Sequence, residues 1–181
     1  MQFVLHISKK NNNPNKIIVH TAVSSIYSSW KDIDEYHKST GQHTVSDMGC
    51  YCAYHFVIDL YGATKQCRAI YEMGEHCIGQ NDRSIGVCMT GNGDKYLPSD
   101  KQKQALARLS DQLCIQLAID PNNIFPHRKY TDNKTCYGRL IPDSWARDIL
   151  KEYRLKKYEV LHRHYLKLKR YCLFLLKKYV R

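Results

Sequence analysis

Lys16-Ile17-Ile18-Val19-His20 is the stretch on which the fold turns. Three β-branched residues in a row, which pack well on a pleated surface, predict a buried strand. A histidine closes it, at the strand end where polar loops collect. The strand is preceded by Asn11–Asn15, a loop or turn with Pro14 inside it. Moving outward, Tyr54-His55-Phe56-Val57-Ile58 reads as a second strand and Ser84–Thr90 (SIGVCMT) as a third. Gly91, Gly93 and Asp94 close the third strand with a loop. Phe3–Ile7 predicts an opening strand.

Helical signals lie between and after these runs. Ser28 or Ser29 caps a helix through Trp30, Ile33 and Tyr36, and Gly41–Gly49 forms a polar loop behind it. Ser99 and Gln102 form a capping-box pair. Leu106, Leu109, Leu113 and Leu117 follow at helical spacing and predict a core-facing stripe. The expected fold class is mixed α/β, a central mixed β-sheet flanked by helices.

From about Ser144 the pattern is helical to the end. Tyr158, Leu161, Tyr165, Leu168, Cys172, Leu175 and Tyr179 alternate by three and four, a heptad seam with basic residues around it. A self-associating helix and a helix laid against the body both give this stripe. Charge divides at the same place. Of the net +11, residues 146–181 carry 12 Lys/Arg against 3 Asp/Glu, so the rest of the chain is nearly neutral. The expected organisation is a body over residues 1–145 and a basic amphipathic helical tail over 146–181. Such a tail attracts an anionic membrane, an anionic wall polymer or nucleic acid, or associates with itself.

A chain of 181 residues with 43% hydrophobic content buries a core as one domain with an appendage, which excludes wholesale disorder. No run is long and apolar enough to span a bilayer. The first residues lack the basic leader and apolar run of a signal peptide, so synthesis in the cytoplasm is expected. Eight cysteines are then read as mostly reduced thiols. Cys50 and Cys52 stand one residue apart, which is not structural-zinc spacing.

For chemistry, His20, His127 and Cys136 are the set to weigh. Two imidazoles and a thiolate make a three-ligand zinc set with an open fourth position for water. The plain alternative is two surface histidines and a buried thiol. Lys134 lies two residues before Cys136; a lysine beside such a metal can stabilise an oxyanion, and the plain alternative is a solvated surface lysine. If Tyr54 faces a cleft, His55 points to the opposite face, toward packing or a hydrogen bond. The HExxH helix, the GxSxG elbow and the glycine-rich phosphate loop are all missing.

Four blocks in order carry a resemblance. They are IIVHTA, CAYHFVIDLYG, CRAIYEMGEHCIGQNDRSIGVCMTGNG (with Arg68, Gly74, His76, Gly79, Asn81, Ser84, Ile85 and Gly86) and HRKYTDNKTCYG. Over roughly Ile17–Ile141 the chain resembles the zinc-dependent N-acetylmuramoyl-L-alanine amidases of the bacteriophage-lysozyme and peptidoglycan-recognition-protein type. The resemblance implies one zinc on His20, His127 and Cys136, with Tyr54 and Lys134 as catalytic helpers. It implies hydrolysis of the amide between N-acetylmuramic acid and L-alanine in peptidoglycan. His76 and Asn81 either line the groove or brace its loop. A lysis factor of the endolysin kind, acting on the cell wall after release, is the expected setting. The alternative is a catalytically weak peptidoglycan-binding protein, or a regulatory protein contacting a polymerase or nucleic acid. The sequence departs from the family pattern in three places. Tyr137 stands where the family has proline, the Gly41–Ala53 loop is long, and the basic tail has no counterpart in the compact family core.

Overall fold

The computed structural model describes residues 5, 7, 11–131 and 135–179, with side chains as far as Tyr171 in the last helix. The strand expected at Phe3–Ile7 falls almost wholly outside the described residues, and so does Lys134. The elements are β1 (Lys16–Thr21), α1 (Trp30–Thr40), β2 (Phe56–Ile58), β3 (Thr64–Gln66), β4 (Ser84–Met89), α2 (Asp100–Gln116), β5 (Ile124–Pro126) and α3 (Trp145–Tyr179). The strands form one sheet in the order β3-β2-β4-β1-β5. β1 pairs in parallel with β4 and β5, β2 pairs in parallel with β4, and β3 runs antiparallel to β2. The sheet is therefore mixed, as expected.

Strand alternation sorts the side chains into two layers. Ile17, Val19, Phe56, Ile58, Ile85, Val87 and Met89 share one core with Leu106, Leu109 and Leu113 of α2 and Ile149 and Leu150 of α3. Val57 faces the other way, into a smaller core with Ile33 and Trp30 of α1 and the thiols of Cys50, Cys52 and Cys67. His20, Gly86 and Cys88 occupy the alternate positions of their strands, on the α1 side of the sheet. Cys50, Cys52, Cys67, Cys77, Cys88 and Cys114 are thiols outside any disulfide.

The caps follow the sequence signals. Ser29 N–H donates to Asp32 Oδ2 at 2.6 Å, and α1 stops at Gly41, whose φ of 65° suits a residue without Cβ. Ser99 and Gln102 cap α2 reciprocally at 3.0 and 3.1 Å. Gln102 also reaches inward, donating to the Thr90 carbonyl at 2.9 Å. Leu117, by contrast, is only half-buried at the end of its stripe.

β3 and β5 were not expected from the sequence. Each is three residues long, and Thr64–Gln66 carries no apolar side chain. Such strands exist because a neighbour offers a ladder, which no local pattern encodes. β5 ends in Pro126 and sits at the edge of the sheet, where a residue without N–H costs least.

Candidate metal centre

The strand order puts β1 between β4 and β5, and the C-terminal end of β1 delivers His20. The adjoining β5 runs parallel to it and hands the chain to a short 3-10 turn beginning at His127. The 135–138 turn brings back Cys136. Residues more than a hundred positions apart in sequence thus meet. The ligand atoms of His20, His127 and Cys136 lie within 4.8 Å of one another. Both histidines are buried, and Cys136 is half-buried.

The donor set fits a zinc ion. His20 Nδ1 lies 3.6 Å from Cys136 Sγ. A tetrahedron with ordinary Zn–N and Zn–S bonds has an N···S edge of about 3.6 Å. Three protein donors of this type leave one position open, which is the pattern of catalytic rather than structural zinc.

His20 is oriented from behind. Its Nε2 meets His76 Nδ1 at 3.1 Å, His76 Nε2 faces Ser84 Oγ at 3.4 Å, and Ser84 Oγ donates to the Gln80 carbonyl at 2.7 Å. Burial, with the nearby His55 and His127 adding to it, holds the His76 imidazole well below its ordinary pKa, so it is neutral. Only one tautomer chain leaves His20 Nδ1 without a proton and so able to ligate a metal. In it His20 Nε2–H donates to His76 Nδ1, and His76 Nε2–H donates to Ser84. Supporting hydrogen bonds of this sort fix a metal-binding histidine's ring and tautomer. Room for the His76 ring comes from two glycines. A Cβ on Gly86 would sit 2.4 Å from His76 Cδ2, and one on Gly74 would sit 2.6 Å from it. Asn81 Oδ1 accepts from the backbone N–H groups of His76 and Cys77 at 3.0 and 2.8 Å, which braces the loop carrying His76.

The Cys136 segment is clamped at both ends. Arg128, next to His127, donates to the Gly138 and Ile141 carbonyls and to Asp143, while its own N–H donates to the Cys136 carbonyl. Asp94 accepts from Thr135 Oγ1 at 2.5 Å and from Arg139 N–H at 2.7 Å. Tyr137 is fully buried, with its hydroxyl donating to the Pro142 carbonyl at 2.7 Å. Sequence reasoning overlooked Arg128 and read Asp94 only as part of the loop closing the third strand. The only local sign was that Arg128 adjoins a candidate ligand.

The strand expected over Tyr54–Ile58 begins only at Phe56, so Tyr54 and His55 sit in the bend that leads into β2. The Tyr54 ring centroid is 4.9 Å from that of His20. His55 is buried, accepting from Gly86 N–H at 3.1 Å through Nδ1 and donating through Nε2 to the Glu72 carbonyl at 2.9 Å. Burial, then the neighbouring thiols of Cys88 and Cys136, push the Tyr54 phenol well above its ordinary pKa, so it keeps its proton. Beside Tyr54 opens a groove of about 480 Å³, bordered by Ala22, Ser24, Asp32, Tyr36 and His37. Tyr54 thus borders a cleft of ligand size and also packs beside the His20 ring.

Residues 10–139 match the profile of the N-acetylmuramoyl-L-alanine amidase family. The chain belongs to that family. Solved structures share this amidase fold. The endolysin N-acetylmuramoyl-L-alanine amidase LysCS from Clostridium intestinale superposes with a TM-score of 0.67 at 24% identity, over 85% of this chain and 93% of that one. The Ph2119 endolysin of a Thermus scotoductus bacteriophage gives 0.64 at 17% identity, over 80% and 89%. Drosophila PGRP-LB gives 0.60 at 23% identity, over 76% and 84%. No curated protein matches the chain. The amidase match stops at residue 139, so it takes in His20, His127 and Cys136 and leaves α3 outside.

Proposed function

We propose that residues 1–145 hydrolyse the amide bond between N-acetylmuramic acid and L-alanine in peptidoglycan, at a zinc held by His20, His127 and Cys136. The observation that carries this reading is the convergence of two imidazoles and a thiol beside a groove, within a fold of the amidase family. Zinc held there supplies Lewis acidity, lowering the pKa of a water at its open position and polarising the amide carbonyl.

The chain's own residues do the rest. His76, through Ser84, keeps His20 in the tautomer that leaves Nδ1 available. Tyr54, beside His20 and bordering the groove, donates a hydrogen bond to the substrate carbonyl or the attacking water. It also passes a proton toward the leaving amine. Lys134 lies outside the described residues. The family resemblance assigns its ammonium to the oxyanion that develops on attack. Asn81 keeps the loop of His76 in place, and the groove under α1 takes the glycan and stem peptide. The setting is the cell wall after release from the cytoplasm.

The test is mass spectrometry of purified peptidoglycan after incubation with the protein. Stem peptides with free L-alanine amino termini, and glycan strands without peptide, are expected. Cys136→Ala should abolish both these products and zinc retention. An unchanged wall from protein carrying one equivalent of zinc would sink the hydrolase reading and favour a peptidoglycan-binding or regulatory role.

A further inference from the structure

Among the described side chains, α3 is held to the body at its start. Ala146, Ile149 and Leu150 are buried in the main core. Arg154 and Lys157 then donate to the two carboxylate oxygens of Asp111 on α2, at 2.7 and 2.8 Å. From Leu155 to Tyr171 every residue is exposed. That is about 25 Å of helix at the usual rise.

The exposed helix has two opposed faces. Tyr158, Leu161, Tyr165 and Leu168 are each 59–66% exposed. At about 100° per residue they fall within roughly 80° of one another. Lys156, Arg163, Lys167 and Arg170 gather on the opposite side, and Lys169 borders the apolar stripe. Over Leu155–Tyr171 six Lys/Arg meet one acid, Glu159. An apolar stripe of four large side chains in water needs a partner.

The chemistry separates the occupants. A soluble polyanion, whether wall polymer or nucleic acid, satisfies the cations and leaves the stripe in water. A second copy covers the stripe but leaves the cationic face unexplained, since the segment itself offers one acid, Glu159, to six cations. A bilayer with anionic headgroups satisfies both faces at once. The sequence continues the theme beyond Tyr171, with apolar Cys172–Leu176 followed by Lys177 and Lys178. Among the described residues no helix is long and apolar enough to cross a membrane, so the contact is in the plane of the surface.

We propose that the Leu155–Tyr171 segment of α3 is an interfacial membrane-binding surface that lays the Tyr158–Leu168 stripe into a bilayer containing anionic lipid. This goes beyond the amidase reading and does not depend on it, because the readout is partition rather than wall hydrolysis.

The experiment is sedimentation of the full-length protein with vesicles of phosphatidylglycerol and phosphatidylcholine, and with vesicles of phosphatidylcholine alone. Binding to the anionic vesicles is expected, at least about ten-fold tighter than to the neutral ones. Leu161→Ser with Leu168→Ser should weaken it at least about ten-fold. Arg163→Glu with Lys167→Glu and Arg170→Glu should weaken it about 100-fold or more. Far-UV circular dichroism and zinc content report whether each variant keeps its fold. Failure to bind anionic vesicles would overturn the proposal. Full binding by the Leu161/Leu168 variant would reduce the surface to a polyanion site. A dimer in light scattering that the same variant dissolves would assign the stripe to a second copy.

Discussion

At the scale of single residues, the candidate centre has a histidine outside the ligand set behind one of its ligands. His76 stands behind His20, and the His76–Ser84–Gln80 chain decides which nitrogen of His20 is bare. His76→Ala is expected to weaken zinc binding about 10–100-fold, as loss of a supporting hydrogen bond does elsewhere. Competition against a calibrated chelator measures this, and an unchanged affinity would show that His20 is oriented without it. The ligand types were legible in the sequence: histidine at a strand end, then histidine and cysteine flanking a polar loop. The link from His20 to His76 was not. The two are separated by 56 positions and meet only because β1 and β4 are adjacent.

At the scale of elements, β4 does two jobs with alternate residues. Ile85, Val87 and Met89 fill the main core, while Gly86 makes space for His76 on the other face. Gly86→Ala drives a Cβ into that ring. A loss of about 1–3 kcal/mol is expected from overpacking. Urea denaturation reads that loss, and weakened zinc retention should accompany it. α3 offers a second test. Burial alone would raise the Asp111 carboxyl, but hydrogen bonds from Lys157 and Arg154 outweigh it and hold it below the usual range. Both partners are more than a third exposed, so solvent screens the pair. Asp111→Ala should therefore cost only about 1 kcal/mol. Hydrogen exchange should show faster opening of α3 around Arg154, with the sheet unaffected. The long strands and capped helices were readable because their patterns are local. β3 and β5 were not, being short edge strands defined by the partner they join.

At the scale of the whole molecule, stability should fall on mild acidification. Burial depresses the His55 imidazole to about 4, against an ordinary 6.5. The unfolded chain therefore binds a proton that the folded one refuses. The contribution is complete above pH 6.5 and is lost as pH falls toward 4. It amounts to roughly 3 kcal/mol for a shift of this size. Urea midpoints at neutral pH and near pH 4.5 check it, and equal midpoints would rule it out. The sequence by itself determined the mixed α/β class, the main strands, the helix caps, the concentration of charge in the tail and the types of residue able to hold a metal. Each of these is written in periodicity, side-chain chemistry or composition over a short window. The meeting of His20, His127 and Cys136 was expected only through the family resemblance; tertiary structure alone decided that His76 stands behind His20 and that α3 parts from the body beyond Lys157. Those facts depend on which strands become neighbours and on where packing stops. Long-range burial sets both, and no local run of residues contains it.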